Sequence, residues 1–127
     1  MIVAGVGSRR GVSQQDVCAA IDAALARAGL PRARLEAIAT PAIKGGEAGI
    51  AEAAATLGLP LILVPQSRLE AMAGQAQTHS ERVVALLRVP SAAETAALAA
   101  AGTSARLLGP RLALGAVTCA LAEGGQP

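Results

Sequence analysis

Phenylalanine, tyrosine and tryptophan are absent from all 127 positions. The core must therefore be packed from Leu, Ile, Val, Met and Ala, which bury less area per residue than an aromatic ring. The same absence removes the stacking platforms on which single-stranded nucleic acids are held. No dense basic stripe replaces them, because the net charge is +2 and the basic residues are scattered. Nucleic acid is not an expected partner. Histidine occurs once and cysteine twice, without the spacing of a zinc-ligand set. No metal site and no cofactor are expected. Cys18 and Cys119 read as buried free thiols rather than a disulfide. Long apolar runs are also missing: the longest uncharged stretch, Ala53 to Ser67, has 15 residues and is broken by Gly58, Pro60 and Pro65. A membrane span needs roughly 18 or more apolar residues. The N-terminus enters a strand with no basic leader or cleavage site. These absences predict a cytoplasmic protein, and the length predicts one domain large enough for a real core.

What is present begins with Gly5-Val6-Gly7-Ser8-Arg9-Arg10-Gly11-Val12-Ser13. An apolar strand, Ile2-Val3-Ala4, leads into this stretch, and the two glycines are expected to let the backbone turn. Ser13 and Asp16 have the spacing of a capping box, and Val12 and Val17 that of a hydrophobic staple. A strand, glycine loop and helix start in this order favour an anion, because free N–H groups and the helix dipole point there. Arg9 and Arg10 add forked donors suited to carboxylate or phosphate. From the residues alone the pair reads equally as solvated surface charge. A dinucleotide fits less well. The third glycine of G-x-G-x-x-G is replaced by Arg10, and Thr40 stands where an acidic residue is wanted. No G-K-[ST] of a phosphate loop is present.

Helix 1 carries an apolar stripe of Val17, Ala20, Ile21, Ala24, Leu25 and Ala28, closed by Gly29 and Pro31. Leu35 to Thr40 reads as a buried strand. A second loop with Lys44 and Glu47 opens a helix whose inner face is Ile50, Ala53, Ala54 and Leu57. Leu61-Ile62-Leu63-Val64 has the unbroken apolar pattern of a central parallel strand covered on both faces. Ser67 and Glu70 have capping-box spacing for a short helix ending near Gly74. Gln75 to Ser80 reads as a mobile loop, with His79 solvated, and Glu81 to Leu87 as one or two helical turns. Ser91 and Glu94, again at capping-box spacing, start an alanine-rich helix that ends at Gly102. Two further strands, about Ala105 to Gly109 and Gly115 to Ala122, flank a turn at Pro110 to Leu114. The pattern predicts an α/β fold: three α/β/α layers around a mixed sheet of about five strands. The first three are parallel and the C-terminal two form an antiparallel hairpin. Residues 1–122 form the domain and 123–127 a frayed tail. Parallel order brings Arg9, Arg10, Thr40 and Lys44 to one sheet edge, where open α/β sheets bind ligands.

Four blocks in order carry a resemblance. They are Gly5 to Gly11; Ala39-Thr40 with Lys44 and Glu47; Val89-Pro90-Ser91 with Glu94; and the strand Ala116 to Ala122. Together they resemble the cobalamin-biosynthesis family of CobE and the C-terminal domain of CbiG, over nearly the whole chain. The resemblance implies a stand-alone CobE-like protein. It departs at Ser8, where many relatives carry cysteine, so a nucleophilic thiol is excluded there. Arg111 lies near a common lysine position and keeps the charge with a different geometry. The implied partner is a precorrin or corrin intermediate, a macrocycle rimmed by carboxylates, with other enzymes of the pathway as further candidates. Gly7, Ser8, Arg9, Arg10, Thr40, Lys44, Ser91 and Glu94 are the candidate substrate-binding residues. Two functions stay open beside a third, an interaction module. One is an accessory binding protein of the aerobic pathway. The other is a metal-free hydrolase that opens the lactone of a CbiG-type substrate with loss of acetaldehyde. There Glu47 would be the general base, and Lys44 with the loop amides would stabilise the oxyanion.

Overall fold

The computed structural model describes residues 1–45, 47–102 and 104–125. Strand β1 (Ile2–Ser8) is central. It pairs in parallel with β2 (Leu35–Pro41) and antiparallel with β6 (Val117–Glu123). Outside β2 lies β3 (Leu61–Val64), also parallel. β4 (Arg106–Leu107) and β5 (Leu112–Leu114) both pair antiparallel with β6, one at each end of it. The order is β3-β2-β1-β6-β4, with β5 beside β6. The sheet thus has six strands where about five were expected. The extra one, β5, lies inside the stretch read as the Pro110 to Leu114 turn.

Helices α1 (Gln14–Ala28) and α2 (Ala48–Leu57) cover one face of the sheet. Helices α3 (Gln66–Ala71) and α5 (Ala92–Ala101) cover the other, joined by α4 (Glu81–Leu87). The expected three-layer α/β architecture is therefore present. Strand alternation sends Ile2, Ala4 and Val6 toward α1 and α2, while Val3 packs on the α5 side. Gly5 and Gly7 share that second face. A Cβ on Gly5 would overlap the Ala93 carbonyl oxygen and stand 2.7 Å from the Ala97 nitrogen. Both glycines are thus strand residues that admit α5, and the expected turn at Gly5 and Gly7 is corrected. The glycine that turns the chain is Gly11, at φ +72°.

Local signals fared well in α1. Ser13 Oγ accepts the Asp16 N–H at 3.1 Å, Gly29 is left-handed at φ 71°, and the Leu30 N–H donates to the Leu25 carbonyl at 2.9 Å. Other expectations are corrected. β3 is an edge strand with Leu63 46% exposed, since a four-residue apolar run has the same pattern at an edge as in the middle. α3 starts at Gln66 behind Pro65, so Ser67 lies inside the helix and caps nothing. Glu123 ends β6, and the amide of the buried Gly124 donates to the Met1 carbonyl at 2.8 Å. The frayed tail therefore does not include them; Gln126 and Pro127 lie outside the described residues. Cys119 is buried and Cys18 half-buried, both as free thiols. Among the described residues no single helix is long and apolar enough to cross a membrane.

Candidate functional site

The carboxyl ends of β1 and β2 open into a cleft of about 890 Å³. Gly7 and Ser8, the last residues of β1, lie at its base with Thr118 of β6. The Thr118 hydroxyl donates to the Gly7 carbonyl at 3.3 Å. Arg9 and Arg10 stand on the loop just beyond, and the Arg9 amide donates to the Ala116 carbonyl at 3.0 Å. Lys44 ends a 3₁₀ turn, Ala42–Lys44, that follows β2 directly. Glu47 precedes α2, and its Oε1 accepts the Gly11 N–H at 3.1 Å. α4, through Arg82, Val83 and Leu86, and Arg111 before β5 complete the lining.

Five cations therefore face one cleft: Arg9, Arg10, Lys44, Arg82 and Arg111, against one carboxylate, Glu47. Among the described residues none of the five takes part in an ion pair. Like charges gathered without counterions raise the local positive potential and draw anions. The lining also exposes apolar surface, with Ile43 74% and Leu86 67% accessible. Isolated exposed aliphatics are common, but these two share one cleft with the cations. Ser8 Oγ is buried and has no hydrogen-bond partner among the described residues. A carboxylate-bearing, largely apolar ligand would satisfy both the cations and the exposed aliphatic side chains.

Gly7, Ser8, Arg9, Arg10, Lys44 and Glu47 are thus brought together as the sequence suggested. Thr40, Ser91 and Glu94 are not; all three are fully buried and line no part of the cleft. Thr40 Oγ1 donates to the Val6 carbonyl at 2.8 Å, a bond between β2 and β1. Ser91 Oγ accepts the Glu94 N–H at 3.2 Å and caps α5. The Glu94 carboxylate is enclosed by loop amides. These positions serve the frame because the topology turns their side chains inward, which residue type alone does not disclose. Sequence reasoning missed Arg82, Ile43 and Leu86 as site residues and noted Arg111 only for its charge. A basic residue on a short helix carries no local mark of the cleft it will face. His79 is exposed and sits 3.1 Å from Glu81, outside the cleft.

Residues 2–122 match the family model of the cobalamin synthesis G C-terminus. The chain belongs to this family. It is 32% identical over 121 residues to Protein CobE of Sinorhizobium sp., a match covering 95% of this chain and 79% of that protein. It superposes on the crystal structure of CobE, a protein from the cobalamin (vitamin B12) biosynthetic pathway, with a TM-score of 0.92 at 30% identity. That match covers 96% of this chain and 89% of the other. Cobalamin biosynthesis protein chiG from Agrobacterium tumefaciens str. C58 is similar at 41% identity and a TM-score of 0.80, over 99% of this chain and 100% of its own. The chain is a cobalamin biosynthesis protein of the CobE and CbiG C-terminal type, as its sequence blocks implied.

Proposed function

We propose that the cleft binds the carboxylate rim of a precorrin or corrin intermediate, in an accessory role in cobalamin biosynthesis. The observation that carries this reading is the set of five cations, free of ion pairs among the described residues, around one opening that also exposes Ile43 and Leu86. Acetate and propionate arms would meet Arg9, Arg10, Lys44, Arg82 and Arg111 around the opening. Each charge-assisted contact contributes roughly 1.5–3 kcal/mol where shielded, and nearer 1 kcal/mol at the exposed rim. The apolar ring would rest on the aliphatic wall. A volume of about 890 Å³ lies toward the upper end for small-molecule sites, as a macrocycle requires.

The test is a titration with cobyrinic acid, a corrin with free carboxylate arms, beside cobalamin, whose ring arms are amides. A chain without aromatic residues adds almost nothing to the near-ultraviolet spectrum, so spectral change reports the ligand directly. Binding of the acid that weakens with added salt, with little binding of the amide, is the expected result. Equal or absent binding of both would sink the reading.

Lactone opening is the second reading, favoured by Lys44 and Glu47 lying on the same cleft. Water would add to the lactone carbonyl as Glu47 takes its proton. The ring C–O bond would then break, the departing oxygen would receive that proton from Glu47, and a carboxylic acid and a hydroxyl would result. Acetaldehyde would leave when the C–C bond from the hydroxyl-bearing carbon to the macrocycle breaks, with the hydroxyl proton lost as the C=O forms and the bonding pair passing to the ring. Release of acetaldehyde from a lactone-bearing precorrin, lost in Glu47→Gln, would establish it; an unchanged substrate would leave binding alone.

A further inference from the structure

We propose that Glu94, which lines no part of the cleft, is a positioning residue that holds the two segments bringing Arg82 and Arg111 to it, an inference that rests on the anion-binding reading above. Its carboxylate is fully buried at the first turn of α5. In a capping box a glutamate at this position turns back to the N-cap amide. Glu94 instead reaches outward to two other segments. Oε1 accepts the Gln77 N–H at 2.8 Å and the Thr78 N–H at 2.9 Å. Oε2 accepts the Thr78 hydroxyl at 2.7 Å and the Arg111 N–H at 2.8 Å. Four short bonds to an anion excluded from water are strong ones, and leaving any of those donors unmet is costly.

The two segments held in this way are the ones that lead to Arg82 and carry Arg111. Thr78 stands two residues before Ser80, whose Oγ accepts the Val83 N–H at 3.4 Å and caps α4. α4 then presents Arg82 and Leu86 to the cleft. Arg111 is held by its own backbone, and the carbonyl of Pro110 beside it accepts from Arg27 Nη2 on α1. The turn bearing Arg111 is thus gripped from both helical layers. Arg9, Arg10 and Lys44 belong to other loops and share no bond with Glu94. One buried anion therefore sets the place of two cleft cations and leaves three untouched.

Glutamine tests this sharply. It keeps the shape but has one acceptor oxygen, so the amide nitrogen must face one pair of donors. With its oxygen toward the Gln77 and Thr78 amides, its NH₂ faces the Thr78 hydroxyl, which can rotate to accept, and the Arg111 N–H, which cannot. In Glu94→Gln, amide exchange at Arg111 should quicken by about tenfold or more, while Gln77 and Thr78 change little. Cobyrinic acid affinity should fall by about tenfold. That loss should overlap with the loss from Arg111→Ala and add in full to the loss from Arg9→Ala. Thr78→Val, which removes only the hydroxyl bond, should fold normally and loosen Arg111 less.

Unchanged Arg111 exchange in Glu94→Gln overturns the clasp. An affinity loss that adds fully to both arginine variants overturns the positioning role and leaves ordinary destabilisation. If the unaltered chain binds no cobyrinic acid, the functional reading above fails, and the exchange measurement still supports or overturns the clasp.

Discussion

The amide N–H of Gly11 donates to Glu47 Oε1 at 3.1 Å, joining two loops 36 residues apart in sequence. Glu47 occupies the N-cap position of α2 but makes no side-chain cap bond there; its Oε1 is turned to the arginine loop instead. Close backbone contact adds to the hold, since Gly49 in the first turn of α2 leaves no room for a Cβ against the Val12 carbonyl. The loop is thus fixed by its backbone, and among the described residues its two arginine side chains enter no ion pair.

It follows that Arg9→Ala/Arg10→Ala should weaken cobyrinic acid binding with almost no effect on folding. Removing two exposed charge pairs with the ligand, at about 1 kcal/mol each, corresponds to a fall of about thirtyfold. Denaturant melts should agree with the unaltered protein within about 0.5 kcal/mol, as expected for surface changes. The slope of affinity against salt should also flatten. A large loss of stability would mean that the arginines hold the loop.

The two kinds of glycine should separate by mutation. Gly5→Ala places a methyl on the Ala93 carbonyl of α5, so it should cost about 3 kcal/mol or more, or prevent folding. Gly11→Ala meets nothing within 4 Å but must hold φ +72°, a strain of about 1–2 kcal/mol. Urea midpoints of the two variants check the order. Equal costs would show that α5 can move away from β1.

Alkaline pH should reveal Cys119. Burial pushes its thiol from the ordinary 9.0 up to about 12. Below about pH 9 both the folded and unfolded chains hold this proton, and the group has no effect on stability. Between about 9 and about 12 the unfolded chain releases it and the folded chain does not. Stability should therefore fall by about 1.4 kcal/mol per pH unit in that window. The chain has no tyrosine, Lys44 is its one lysine and Cys18 its one other thiol, so Cys18→Ala serves as the control. Cys119→Ala should lose most of the alkaline slope. An identical slope in that variant would assign it elsewhere.

How much could be read in advance follows from the range of each interaction. The α1 cap at Ser13 and its ending at Gly29 depend on neighbours within a few residues, and both were legible. So was the gathering of Arg9, Arg10 and Lys44, because parallel strand order alone places those loops together, whereas Thr40, expected with them, is buried. Gly5 was misread because a strand glycine required by a helix 88 residues later looks like a turn glycine. The segment Gln75 to Ser80 looked loose because the Glu94 carboxylate that holds it comes later in the chain. Arg82 entered the cleft through that same long-range contact and bore no mark of it. Thr40 and Ser91 have the right chemistry for a ligand, but their hydroxyls are taken by the Val6 carbonyl and the Glu94 amide.

The missing methyl at Gly5 also divides the molecule into parts with different freedom to change. It brings α5 down onto β1, so the seam between them tolerates almost no variation in bulk. The cleft cations are carried on loop ends and on α4, away from that seam. Charge could be reversed or redistributed around the opening while the scaffold beneath stayed intact. On the anion-binding reading proposed above, redrawing the charges of the rim would change which guest the same scaffold accepts, and a designer could retarget it by that route.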